Sequence, residues 1–543
     1  MTDSHADAAA ANRAWAVAAA PMRRQLERAL ADPESAQRER LLGYVRRNAA
    51  TDYGRRHDFQ SIRDVETFQS RVPIVRYEDL IEDINRIGAG QPDVFTAARV
   101  LRLVPTGGST GGAKLLPFTA GLGSEIAGAV DAWMSDIYEH HPGVLDGRAY
   151  WSITPPAAFR LPPRTRIPVG FGDDGAYLGA ERRTLAARVM AVPAGVAALG
   201  DADACRYATL AFLMRAPDLR LVSVWHPSFF AGLLDLMIEH FDRLTDDIAT
   251  GWLRPPRGHD DASVAALQAL FTPDRARADA LRRSGPSPMH VWPTLALVSC
   301  WADGASAGAA AALGRRLPGV FVQPKGLMAT EGVVSIPVAG RHPLAVLSHV
   351  FEFADDDGRL HLAHELRHGK RYRVIVTTGA GLYRYDLGDR VEVAGFVEST
   401  PSVRFVGRGS TVSDLFGEKL TDEFVAGIIA GVFRGVAPPA FAMLAPERDA
   451  DGARYVLFVE PDHPDDTPTA AALEKALRGN PHYAWCVDLG QLKPARVVRT
   501  PRGSERRYVD ACVANGQRLG DVKAVALHAD TGWTRILTRD PST

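Results

Sequence analysis

The sequence predicts an α/β fold, with a large N-terminal α/β domain followed by a smaller C-terminal α+β domain. Three observations predict it. At 543 residues the chain exceeds what one hydrophobic core organises, so at least two domains are expected. Short apolar runs such as AYWSI, LRLVSVW and ALVSC alternate with helical stretches such as FAGLLDLMIEHF, the pattern of mainly parallel strands with helices between them. Beyond the glycine- and serine-bearing stretch FVGRGSTVSD, around Arg408, the order changes to helix (DEFVAGIIAGVF), strand (FAMLAP), strand (RYVLFVE) and helix (ALEKALR), a compact unit of its own. The expected domains are residues 1–407 and 408–543.

Ala11 to Asn48 is rich in Ala, Leu and Arg and reads as one or two amphipathic helices with a solvated arginine face. RVLRLVPT, from Arg99 to Thr106, is apolar and β-branched enough for a buried strand, which Gly107 breaks. LLPFT, from Leu115 to Thr119, reads as a second strand, and a helix follows from Gly123 to about Tyr138. RYRVIVTT and RVEVAGF read as paired strands around a turn at YRYDLGD.

Composition narrows the function. Hydrophobic residues at 46% and charged residues at 23% describe an ordinary soluble globular protein. Lys plus Arg total 63 against 64 Asp plus Glu, so no global field favours nucleic acid or an anionic membrane. The arginines at 499, 502, 506 and 507 lack interleaved aromatics and read as a solvated loop. The start, MTDSHADAAAANRAW, has no basic segment before an apolar one, and the apolar run Phe424 to Phe433 is about half a membrane span. Four scattered cysteines with no CxxC pair argue against a zinc site or disulfide framework. A cytoplasmic enzyme or a large binding protein is expected.

The strongest local signal is Thr106-Gly107-Gly108-Ser109-Thr110-Gly111-Gly112-Ala113-Lys114. Glycines let backbone approach a ligand closely, hydroxyls donate hydrogen bonds and a lysine adds positive charge, which together suit phosphate. The spacing is not that of a Walker loop, and a strand rather than a helix follows, which excludes a dinucleotide fingerprint. The other reading is a surface loop in a glycine-rich protein.

These nine residues resemble the TSGTTGxPK loop of the acyl-CoA synthetase, adenylation-domain and luciferase superfamily, with Gly107 for Ser, Ser109 for Thr and Ala113 for Pro. NAATDYGRRHDF, VPIVRYEDL, KGLMATEG, YRYDLGDRVEVAGF, FVGRGSTVSDLFGEKL and GQRLGDVK occur in order along most of the chain. Together they resemble the Gretchen Hagen acyl acid amido synthetases, the auxin-responsive family of plants, and their bacterial relatives.

The resemblance implies an acyl-adenylate-forming fold with a mobile C-terminal domain, and a reaction between ATP and a carboxylic acid. Bringing two anions together requires cations and directed donors. It implies that the loop, with Ser109, Thr110 and Lys114, holds the β- and γ-phosphates. Thr330 and Glu331 would lie beside the α-phosphate, with Glu331 as a Mg²⁺ ligand, since carboxylate oxygen suits that ion. Asp389 would accept hydrogen bonds from the ribose hydroxyls, its alternative being a turn residue. Trp301, in SCWADGAS, is an adenine neighbour or core. Arg408 is a hinge arginine reaching ribose or phosphate, or a solvated one. Lys419 lies in the GEK stretch of the small domain. Lys523 matches the C-terminal lysine that bridges carboxylate and α-phosphate, although its surroundings depart from the usual GKxxR. Trp225 and Phe229 begin a helix whose family counterpart lines the acyl pocket, and they read equally as core. His226 is a base for the attacking amine or a structural histidine.

The resulting expectation is a ligase with Lys114, Thr330, Glu331 and Lys523 catalytic, ATP and Mg²⁺ as cofactors, and a small carboxylic acid and an amine, such as an amino acid, as substrates. Transfer to coenzyme A or a carrier thiol is the nearer alternative. A nucleotide-binding regulator without catalysis is the alternative from another class. No nucleic-acid or membrane partner is expected, and the sequence is silent on oligomeric state.

Overall fold

The computed structural model describes residues 2–105, 114–152, 165–171, 179–256, 261–408, 412–449, 451–461, 467–515, 517 and 522–538. The N-terminal helices run Thr2–Ala31 and Pro33–Arg47. Asp32 separates them by capping the second, its side chain accepting from Ser35 N at 3.1 Å with Pro33 in the first turn. The first helix buries Trp15 and Leu26 in a core shared with Trp133 of helix Ala120–His140. Strands β1 (Val100–Pro105) and β2 (Leu115–Thr119) pair antiparallel and match their expected bounds closely. Thr119 ends β2 and also caps the helix after it, accepting from Leu122 N at 3.1 Å.

The parallel layer is β3 (Arg148–Trp151), β4 (Leu219–Ser223), β5 (Leu297–Cys300) and β6 (Phe321–Pro324), in the order β3-β4-β5-β6. Sheets covered on both faces use near-continuous apolar runs, and all of β5 is buried. The residues that follow the four strands are therefore gathered at one edge: Ser152, Val224 and Trp225, Trp301, and Lys325. Backbone bonds carry this row onward, Val224 N to Ser299 O at 3.0 Å, Trp301 N to Trp225 O at 2.8 Å and Lys325 N to Cys300 O at 2.9 Å. The carboxyl edge of an open parallel sheet is where such folds bind ligands.

A short hairpin, β7 (Met328–Ala329) and β8 (Gly332–Val333), leads to a five-stranded sheet. That sheet comprises β9 (Val350–Ala354), β10 (Leu360–Leu362), β11 (Arg371–Thr377), β12 (Tyr385–Val397) and β13 (Thr400–Arg408), in the order β10-β9-β11-β12-β13. It is antiparallel throughout. The parallel pairing expected for the runs AYWSI, LRLVSVW and ALVSC is found in β3–β6. One expectation is corrected here, since YRYDLGD is not itself the turn between the two paired strands. The reversal lies at 378–384, and β12 already begins at Tyr385. The turn-like residues are absorbed by a bulge, with Gly388 at φ +73° and a register shift opposite β11 between Arg373 and Ile375.

In the C-terminal part, β14 (Val412–Ser413) and β15 (Leu420–Thr421) precede helix Asp422–Val432. Strand β16 (Phe441–Asp449) pairs antiparallel with β17 (Gly452–Glu460), and β17 pairs parallel with β18 (Arg496–Arg499). Side chains alternate between two cores along β17. Tyr455, Leu457 and Val459 pack with Val425 and Leu473, while Val456 and Phe458 pack with Tyr508 and Trp533. The arginine cluster is not a loop, since Arg499 ends β18 and Arg506 and Arg507 lie on helix Ser504–Ala514. Among the described residues no helix is long and apolar enough to cross a membrane.

Candidate functional site

A cavity at the carboxyl edge of β5 is closed from above by the C-terminal part. Trp301, Asp303, Met328, Asp389, Asp422 and Lys523 contribute to its lining. Asp389 is 1% exposed and sits in β12, with the backbone of Arg408 directly opposite in β13. Its place in a strand removes the turn-residue reading. Trp301 follows β5, its ring 5.7 Å from that of Trp225. Lys523 lies with Nζ 5.6 Å from the Trp301 ring centroid, and its carbonyl accepts from Tyr508 Oη at 2.9 Å, which fixes the stem to helix Ser504–Ala514. Three residues proposed from sequence thus converge on one space.

Two lining residues escaped the sequence reading. Asp422 begins helix Asp422–Val432 and accepts from Ala526 N at 2.8 Å and Leu527 N at 2.9 Å, holding the segment just after Lys523. Asp303 lies within the quoted SCWADGAS; burial raises its carboxyl above the usual range, with His342 and Arg404 acting the other way. Carboxylates accept and do not donate when ionised, so the Asp389 and Asp422 side of this lining suits a donor-rich group, such as ribose hydroxyls or an adenine amine. A nucleotide here would direct its β- and γ-phosphates away from these carboxylates, while Lys523 in the lining offers a cation to a nearer phosphate.

The glycine-rich residues Thr106, Gly107, Gly108, Ser109, Thr110, Gly111 and Gly112 lie outside the described residues, and the backbone alone places Arg408. Lys114, just before β2, pairs with Glu78 at 3.2 Å and lies 5.3 Å from the Tyr77 ring centroid. It is not in the cavity lining. Thr330 and Glu331 are half-buried and form the turn of the β7–β8 hairpin, whose Met328 reaches the cavity. Among the described residues no three His, Cys, Asp or Glu side chains gather as a metal site. A single carboxylate is nonetheless the donor set that fits Mg²⁺ bound mainly by waters and phosphate oxygens. Lys419 has φ +46° in the turn before β15 and does not line the cavity.

The hairpin is held from behind by His349, which is fully buried. Val333 N donates to His349 Nε2 at 3.0 Å, so Nδ1 carries the hydrogen and donates to Glu125 Oε2 at 3.1 Å. The approach is close enough that a Cβ on Gly332 would lie 2.5 Å from Nε2. His349→Leu leaves Val333 N–H and Glu125 without that partner and is expected to cost about 1–3 kcal/mol of stability. Urea unfolding checks this. His349→Gln, which restores an acceptor near Nε2, should recover part of the loss; equal loss in both would remove the Val333 contact as its cause.

A second recess joins Trp225, His226 and Phe229 to Arg506, Val509 and Val522. Trp225 and Phe229 therefore line a space, although Phe229 also packs on the core around Phe230. His226 caps helix Pro227–Glu239, and its Nδ1 lies 2.7 Å from Ser228 Oγ and 2.9 Å from Glu505. Arg206 donates to Asp510 at 2.9 Å, and Arg506 approaches Asp203 at 3.6 Å. Partly exposed pairs of this kind contribute about 0–1 kcal/mol each, too little to lock the two parts together.

Comparison with known proteins fits this geometry. Residues 22–318 match the GH3 family N-terminal domain, 344–408 the GH3 family central domain and 434–531 the GH3 family C-terminal domain. The chain belongs to the GH3 family. This GH3 chain is 26% identical over 434 residues to the indole-3-acetic acid-amido synthetase GH3.4 of Arabidopsis thaliana, covering 73% of this chain and 70% of that protein. It is 27% identical over 566 residues to the probable indole-3-acetic acid-amido synthetase GH3.12 of Oryza sativa subsp. japonica, covering 92% and 91%. The solved GH3.15 acyl acid amido synthetase superposes with a TM-score of 0.80 at 18% identity, covering 95% of both chains. The fold is thus the one expected for an acyl acid amido synthetase.

Proposed function

We propose that this GH3 protein activates a small carboxylic acid with ATP and transfers the acyl group to an amine, with an amino acid as acceptor. In the first half-reaction a carboxylate oxygen attacks the α-phosphorus and pyrophosphate leaves, giving acyl-AMP. In the second the amine attacks the acyl carbon, AMP leaves, and the ammonium proton is released. The observation that carries the reading is the convergence of Trp301, Asp389 and Lys523 on one cavity between residues 1–407 and the smaller unit 408–543.

In this reading Asp389 holds the ribose hydroxyls, Trp301 flanks the adenine, and the segment from Thr106 to Lys114 receives the β- and γ-phosphates. Lys114 would exchange Glu78 for phosphate, which its half-exposed position permits. Glu331 would hold Mg²⁺, which when bound offsets phosphate charge beside Thr330. Lys523 neutralises the meeting of carboxylate and α-phosphate, and Arg408 lies at the hinge. Trp225 and Phe229 line the acyl side, and His226 beside them is placed to take the ammonium proton. The weak ion pairs between the two parts support an opening and closing motion that admits substrate and then excludes water.

Acid-dependent ATP–pyrophosphate exchange without any amine is the expected result, measured across a carboxylic-acid panel. The best acid is then supplied with ATP and either an amino-acid pool or coenzyme A, and products are weighed by mass spectrometry. Amide is expected. Orthophosphate and ADP release would replace adenylation with an acyl-phosphate route; thioester without amide would keep adenylation and change the acceptor.

A further inference from the structure

A cavity of about 640 Å³ opens between helices Thr2–Ala31, Pro33–Arg47 and Ala120–His140, and it shares no lining residue with the nucleotide junction. Thr96 to Ala98, just before β1, and Gly121 and Ser124, just after β2, line it. It therefore lies at the end of the β1–β2 pair opposite Pro105 and Leu115, about 20 Å along a six-residue strand at about 3.3 Å per residue. The volume falls within the range of small-molecule sites, about 300–1,000 Å³.

Its walls divide by chemistry. Met22, Leu26, Ala129 and Ile336 supply apolar surface, while Arg40 and Arg47 supply two guanidinium groups against one carboxylate, Glu125. Glu125 is already engaged by three donors: Tyr44 Oη at 2.6 Å, Gly379 N at 3.0 Å and His349 Nδ1 at 3.1 Å. Arg40 Nη1 stands 3.6 Å from Glu125 and 3.4 Å from Tyr44 Oη, and its Nε is buried with no hydrogen-bond partner among the described residues. Arg47 lies 5.5 Å from the Tyr44 ring centroid on the exposed side. A carboxylate takes two parallel bonds from a guanidinium edge, and the lining sets two guanidiniums against one carboxylate that already has three donors. A cation would meet two like charges, and a neutral apolar molecule would leave the excess positive charge uncompensated.

We propose that this cavity binds a carboxylate with an apolar body, and that Glu125 and His349 carry its occupancy to the β7–β8 hairpin. The relay is short. The ligand's anionic end meets Arg40, Arg40 and Tyr44 adjoin Glu125, Glu125 accepts from His349, and His349 holds Val333 beside the Thr330–Glu331 turn. Two sources share this chemistry: a free apolar acid, and an N-acyl amino acid. Only the second rests on the reaction proposed above, as its product.

Octanoate, N-octanoylglycine and octylamine serve as probes, titrated calorimetrically into the full-length protein. Arg40→Gln/Arg47→Gln removes the cations, and Ser124→Trp fills the mouth from an exposed helical position, so the two variants test the site independently. At least one anion should bind the wild type, with octylamine silent and both variants weakened tenfold or more; which anion binds more tightly identifies the source. Occupancy should shift the affinity for α,β-methylene-ATP by about fivefold or more in wild type and in neither variant. Binding of neither anion, or equal anion binding in all three proteins, overturns the site. Unchanged nucleotide affinity overturns the relay. Acid-dependent pyrophosphate exchange should persist in the double variant; its loss would make this cavity the substrate site and overturn the proposal without touching the adenylation reading.

Discussion

Replacing Asp389 with alanine is expected to weaken ATP binding by on the order of a hundredfold while leaving the affinity for the acid nearly unchanged. A buried carboxylate that accepts from two ribose hydroxyls makes two charge-assisted hydrogen bonds. Each contributes about 1.5–3 kcal/mol, and even the lower sum of about 3 kcal/mol corresponds to about a hundredfold in affinity. Asp389 is held by β12, 1% exposed, and lines the junction cavity, which is the placement the proposed ribose role requires. Calorimetric titration with α,β-methylene-ATP measures the loss without turnover, and a thermal melt of the same sample shows whether the variant is folded. Asp389→Asn keeps the shape and one acceptor oxygen and should fall between the two. A folded alanine variant that binds the nucleotide like wild type would remove Asp389 from the ribose role.

The parts of this molecule that sequence reveals are those whose chemistry is local. β1 and β2 were legible because two short apolar runs and a glycine break lie within a few residues of one another, and the helix after them was found, although its start at Ala120, capped by Thr119, lies three residues before the expected Gly123. Asp389 was found through its motif, yet its neighbourhood was misread. DLGD has the composition of a turn, and only the pairing of β12 with both β11 and β13 makes it a bulged strand. The residues that were missed are those whose significance depends on distant partners. Nothing near His349 in sequence marks it, since it acts through Glu125 and Val333, 224 and 16 residues away. Asp422 looks like an ordinary first-turn helix residue until Ala526 and Leu527 arrive over it. Arg506 reads as solvated because Asp203, which it approaches at 3.6 Å, lies about 300 residues earlier in the chain, whereas its other partner, Asp510, is one turn on along the same helical face.

Lys523→Ala is expected to slow acyl-AMP formation on the order of a hundredfold, the usual scale for removing a charge aimed at a transition state. The junction cavity places carboxylates of Asp303, Asp389 and Asp422 around the space, so the approach of a substrate carboxylate to a phosphate needs positive charge supplied locally. In the proposed reading Lys523 supplies it from the C-terminal part, its carbonyl tied to Tyr508 and its Nζ over Trp301. The amine step differs in kind, since a neutral nucleophile attacks a carbonyl whose phosphate is already bonded. Its rate should therefore change less. Rapid-quench single-turnover measurement separates the two half-reactions, the first with acid and ATP, the second with preformed acyl-AMP and amine. A protein truncated after residue 407 loses Lys523 and Asp422 together and should show no exchange. If Lys523→Ala instead forms acyl-AMP at the wild-type rate and slows only its use, the lysine acts on the amine step, and the orientation of the two domains seen here belongs to transfer rather than to adenylation.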